Sequence, residues 1–90
     1  MEIAFAPSAA KHGIGQARAR HVITNCPCPL YPPPENLEDA DLVVFLGPDA
    51  NGIPLEVAGI ESTDGDLVVI HAMRLRKKYA ADYERVMQCR

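Results

Sequence analysis

Apolar and polar positions alternate most regularly in the second half of the chain. Three runs, DLVVFLGP (41–48), IPLEVAGIE (53–61) and DLVVIHAMRL (66–75), are rich in β-branched residues and are separated by DANG and STDG. Both separators carry the Asx and glycine residues that tight hairpins require. The pattern predicts a three-stranded antiparallel meander over 41–74. Beyond it, Tyr79, Tyr83, Val86 and Met87 recur at helical spacings, which predicts an amphipathic helix over 76–88 packed on the sheet.

The first half is less regular. Ile3 and Phe5 alternate with Glu2 and Ala4, as in a short edge strand, and Pro7-Ser8 suits the opening of a helical turn closed by Gly13. GQARARHVITN, residues 15–25, places Ala17, Val22 and Ile23 near one face with Arg18 turned away, and it stops before Pro27, which predicts a second helix. CPCPLYPPP then holds five prolines in nine residues, too few donors for sheet or helix, and reads as an extended linker. The resulting order is strand, two helices, three strands, helix. It belongs to the α+β class, with helices expected on one face of the sheet and a shallow basic cleft on the other.

Length and composition narrow the picture. Ninety residues make a single domain, 1–90, and no apolar stretch reaches the roughly 18 residues of a membrane span, so no membrane partner is expected. The start, MEIAFAPSAAKHG, lacks a basic n-region and a long apolar h-region, which makes the cytoplasm the expected location. Cys26 and Cys28 are too close for an ordinary bridge, so with Cys89 they are expected as free thiols. CPC offers too few metal ligands, and His12, His21 and His71 have no zinc spacing with it; no metal or cofactor is expected. The net charge of −3 hides a segregation: residues 35–66 carry nine acidic and no basic side chains, whereas 71–90 carry Arg74, Arg76, Lys77, Lys78, Arg85 and Arg90 against Asp82 and Glu84.

The element order and three local motifs resemble the BrnT-like toxins of bacterial type II toxin-antitoxin modules, within the RelE-type superfamily. KHGI (11–14) is similar to the junction between that family's N-terminal helices, and LGPDANGIPLEV (46–57) to its glycine hairpin. VIHAMRLRKKYAADYE (69–84) is similar to its last strand and following basic helix with a tyrosine-glutamate pair. The family often has serine where His71 stands and arginine where Met73 stands, and the first helix here is shorter. The resemblance implies a RelE-like fold, a ribonuclease that inhibits translation and growth, an RNA substrate, and a cognate antitoxin that is a small DNA-binding protein. A non-catalytic protein-binding module on the same scaffold is the alternative.

Metal-independent RNA cleavage needs a base for the 2′-hydroxyl, cations for the phosphate and an acid for the leaving oxygen. His71, Arg74, Lys78, Tyr79 and His12 are the catalytic candidates, with His71 leading. Arg74, Arg76, Lys77, Lys78 and Tyr83 are the candidates for contact with RNA or antitoxin, because cations at a helix start can share an anion with the helix amides. On a plain strand His71 and Met73 share one face, and Ile70, Ala72 and Arg74 the other. His21 is expected to be structural.

Overall fold

The structure, a computed structural model, describes residues 2–32 and 41–89. Strands β1 (Ile3–Phe5), β2 (Leu42–Pro48), β3 (Pro54–Glu61) and β4 (Leu67–Arg74) form one sheet in the order β1-β4-β3-β2. The meander is present as the turn chemistry predicts: β2 pairs antiparallel with β3, and β3 with β4. Gly52 and Gly65 adopt φ of 83° and 85° in the two turns, the left-handed backbone those positions need. The N-terminal strand joins the same sheet, parallel to β4, with Ile3 opposite Leu67 and Phe5 opposite Val69. The sheet is therefore mixed and four-stranded, an arrangement that local periodicity cannot reveal because it concerns pairing across more than sixty residues.

The first expected helix is only a four-residue 3-10 turn, Pro7–Ala10; Gly13, at φ 74°, ends the segment. The second is α1 (Gln16–Asn25), and the last comprises a 3-10 turn, Lys77–Tyr79, running into α2 (Ala80–Gln88). In α1 the buried alanine is Ala19; Ala17 is exposed. Arg18 is not turned away: its Nε donates at 3.0 Å to Oδ2 of buried Asp49, whose Oδ1 accepts the amides of Asn51 and Ile53. That carboxylate closes the β2-β3 hairpin and clamps α1 to it. The amide of Ile53, partly opposed by burial, holds the Asp49 carboxyl below the usual carboxylate range.

The two helices lie on opposite faces of the sheet, contrary to the expectation of one covered face. Ala19, Val22 and Ile23 of α1 pack with Val43, Phe45, Leu55, Val57, Leu67, Val69 and Ala72. Val86 of α2 packs with Val44 and Leu46, with Tyr79, Tyr83 and Leu30 around them. Period-2 alternation along β2 explains both layers: Val43 and Phe45 point one way, Val44 and Leu46 the other, and all four are buried.

A bulge in β4 decides which residues reach the second face. Ala58 is opposite His71 but Gly59 is opposite Val69, so Ile70 is an extra residue. Val69 and Ala72, three positions apart, consequently share the first core, and His71 turns out of it. Simple alternation from Val69 would have driven His71 inward. A Cβ on Gly59 would meet Leu67 Cδ1 at 2.6 Å and the Val68 carbonyl at 2.9 Å, so the bulge closes only over glycine. Ser8 Oγ donates at 2.8 Å to the Ile70 carbonyl, satisfying the bulged residue from the N-terminal turn.

The proline-rich segment meets β2 at Leu30, which exchanges two backbone hydrogen bonds of 2.8 Å with Val44. Pro33, Pro34 and the first acidic residues of the middle, Glu35, Glu38 and Asp39, lie outside the described residues, as does Arg90. Cys28 and Cys89 form a disulfide with Cα atoms 6.2 Å apart, so two of the three expected free thiols are paired and only Cys26 is free. Folding brings the end of α2 beside the segment that follows α1, a proximity that spacing in sequence does not show. The bond closes a long loop, with a sequence separation of 61, and by loop entropy contributes about 4 kcal/mol. Thiol titration of the unfolded, unreduced chain should therefore count one free thiol, and reductant should lower the urea midpoint. Three free thiols would show that the bond does not form.

Candidate functional site

The site is built around a carboxylate where the strand pattern calls for an apolar residue. In β3, Leu55 and Val57 point into the first core, so Glu56 between them must face the other way. It is 2% exposed. Burial pushes its carboxyl up, but hydrogen bonds from the Arg76 side chain and amide, the Arg76 charge and a contact with His71 outweigh that and leave it lowered. The Arg76 amide donates to Oε1 at 2.8 Å, its Nε spans both oxygens at 3.1 and 3.0 Å, and Nη2 donates to Oε2 at 2.6 Å. Glu56 raises the guanidinium above its already high ordinary value. Among the described residues, no buried side-chain nitrogen or oxygen lacks a partner.

His71, diagonal to Glu56 across the β3-β4 pair, places Nε2 3.1 Å from Oε2. An ionised carboxylate only accepts, so Nε2 carries the proton and Nδ1 holds the lone pair of a neutral ring. Desolvation is the main influence on His71 and depresses its pKa below the ordinary 6.5; the opposing pull of Glu56 does not offset it, and Arg76 and His12 push further down. At neutral pH His71 is a neutral imidazole, a base rather than a cation.

Chain topology supplies a second imidazole. The 3-10 turn Pro7–Ala10 packs along β4 beyond the point where β1 pairing ends, and Gly13 turns the backbone after it. His12 thereby presents its ring edge-on to His71, with centroids 5.5 Å apart and an interplanar angle of 69°. On the other side, Arg76 Cζ and Lys78 Nζ lie 5.8 and 5.1 Å from the Tyr79 ring centroid, within cation-π range.

The structure thus brings together His12, His71 and Arg76, with Tyr79 and Lys78 adjoining. Lys77 is exposed in the 3-10 turn, and Tyr83 packs against Val44 and Leu46, its phenol pushed up by burial. Arg74 is not beside His71: it pairs in register with Leu55 and falls on the face opposite Glu56. His21 is half-buried in α1, its carbonyl accepting from Asn25. Among the described residues, no group of three or more His, Cys, Asp or Glu side chains is placed to hold a metal. The residue that sequence reasoning missed is Glu56. Its signal was present, a single charge inside the apolar run of β3, but its partners were not legible.

Comparison with known proteins adds no identity. The chain matches no family model, and no curated protein or solved structure is significantly similar to it.

Two outcomes follow from this geometry. Arg76→Ala leaves a buried carboxylate without its donors and should cost about 1–3 kcal/mol by chemical denaturation, with Arg76→Lys recovering part of it; an unchanged midpoint would contradict the pairing. The second is a pH dependence. His71, Glu56 and Asp49 all have depressed values, so the unfolded chain takes up more protons than the folded one as acid is added. Stability should be full above pH 6.5 and fall on acidification, first through His71 and then through the carboxylates. A urea midpoint that rises between pH 7 and pH 5 would exclude this.

Proposed function

We propose that this protein is a metal-independent ribonuclease of RelE-like, BrnT-like character, the toxin of a toxin-antitoxin module. The observation that carries the reading is the pair of imidazoles, one held neutral and oriented by a buried carboxylate, beside a guanidinium fixed by the same carboxylate. In RNA cleavage, Nδ1 of His71 takes the proton of a 2′-hydroxyl as the 2′-oxygen attacks phosphorus. His12 is the acid that gives a proton to the departing 5′-oxygen, leaving a 2′,3′-cyclic phosphate and a 5′-hydroxyl. The Arg76 side chain, 43% exposed while tied to Glu56, and Lys78 would offset the charge that develops on the phosphate. Glu56 takes no proton; it fixes the His71 tautomer.

An antitoxin, a small DNA-binding protein, would then cover this cationic region. A cytoplasmic setting goes with that reading; the Cys28–Cys89 disulfide points the other way, since such bonds persist in oxidising compartments. No helix among the described residues is long and apolar enough to cross a membrane. A second reading, a non-catalytic protein-binding module, is favoured by one feature: Arg76 is neutralised by Glu56 and Arg74 lies on the far face, so few uncompensated cations adjoin the imidazoles.

Purified protein should cut single-stranded RNA without added metal, and its expression should arrest bacterial growth. His71→Ala and His12→Ala should each lower the rate by about 10²- to 10⁴-fold with the circular dichroism unchanged, whereas Arg74→Ala should cut nearly as well as wild type. Uncut RNA and harmless expression of the wild type would favour the binding module.

A further inference from the structure

A second cleft adjoins the site and is not used by the mechanism above. It measures about 270 Å³ and is lined by Leu30, Tyr31, Pro32, Val44, Tyr79 and Asp82. Of these residues Tyr31 is 64% exposed, although Leu30 and Val44 beside it in the lining are apolar. Tyr79, also in the lining, is the residue whose ring lies near Arg76 and Lys78. Asp82, at the start of α2, adds a carboxylate whose Oδ1 accepts from Arg85. We infer that this cleft is a nucleobase subsite, stacking one base of a single-stranded RNA on Tyr31 and reading its N–H donors with Asp82. The inference rests on the ribonuclease reading for its RNA, but the binding it describes needs no cleavage.

The chemistry of each wall supports this occupant over an apolar side chain. A planar aromatic face that stays exposed beside apolar atoms suits another planar group, and stacking on it is tolerant of sequence. With Oδ1 of Asp82 held by Arg85, Oδ2 is left to accept an N–H of the ligand: guanine offers a ring and an amino donor side by side, whereas uracil sets two carbonyl oxygens around its single N–H. The Lys78 ammonium, 5.1 Å from the Tyr79 ring centroid, is the cation available to the phosphate attached to the bound base. The walls are also held in place. Leu30 is hydrogen-bonded to Val44 at 2.8 Å in both directions, and the Cys28–Cys89 disulfide ties the Tyr31 segment to α2, which carries Asp82. A preorganised cleft of this kind loses little freedom on binding.

The test uses the full chain and 2′-O-methyl trinucleotides, which lack the attacking hydroxyl, followed by amide NMR shifts. Shifts should concentrate at Leu30, Tyr31 and Asp82, and a guanine-containing trinucleotide should bind about tenfold or more tighter than an all-uracil one. Tyr31→Ala should weaken both by about 5- to 150-fold, and Asp82→Asn should abolish the preference for guanine. Tyr31 is exposed, so its variant should keep the wild-type circular dichroism. Binding with this pattern but no RNA cleavage would retain the cleft and discard the ribonuclease. RNA cleavage with affinity and base order unchanged in both variants, to within about twofold, would discard the cleft and retain the ribonuclease. Failure of every trinucleotide to saturate the wild type by about 1 mM would also overturn the subsite.

Discussion

The buried carboxylate of Glu56 is the constraint around which the functional half of the molecule is arranged. An ionised carboxylate in an apolar layer is strongly disfavoured unless it is paired and hydrogen-bonded on both oxygens. Here the guanidinium and amide of Arg76 and the imidazole of His71 do this together. That requirement fixes where β4 must end, how the chain turns into the 3-10 segment, and which ring nitrogen of His71 faces the carboxylate. It also accounts for the cations that directly follow β4: the first of them, Arg76, is the counterion of a buried anion on the neighbouring strand.

The rest of the fold serves to hold that pair in a small protein. The β4 bulge, permitted by Gly59 and capped by Ser8, rotates His71 away from the first core while keeping Val69 and Ala72 in it. The same N-terminal turn that caps the bulge then delivers His12. At the far side of the sheet, Asp49 couples α1 to the β2-β3 hairpin, and the Cys28–Cys89 bond couples α2 to the segment after α1. Each link joins elements distant in sequence, which is where a ninety-residue chain gains most from additional constraints.

Features set by local chemistry were legible in the sequence. DANG and STDG specified their hairpins, the meander and both terminal elements followed from periodicity, and α1 lies within a residue of its expected start. Features set by pairing at a distance were not. The parallel partner of β1, the disulfide and the Arg18–Asp49 contact depend on the folded path. The bulge at Ile70 breaks the period on which the reading of β4 relied. Within the site, His71 and His12 stood out as imidazoles near cations, but Glu56 resembled an ordinary polar residue in a strand, and Arg74 was the catalytic candidate where Arg76 is the arginine beside His71. A shift of two residues past the strand end decides which arginine turns back onto the sheet.

The central claim is that Glu56 holds His71 as a neutral ring protonated at Nε2. Nitrogen-15 NMR of the His71 imidazole at pH 7 measures this most directly. The account predicts a protonated Nε2, an unprotonated Nδ1 and a titration midpoint below 6.5. A ring protonated at Nδ1 alone, or an imidazolium persisting at pH 7, would contradict it.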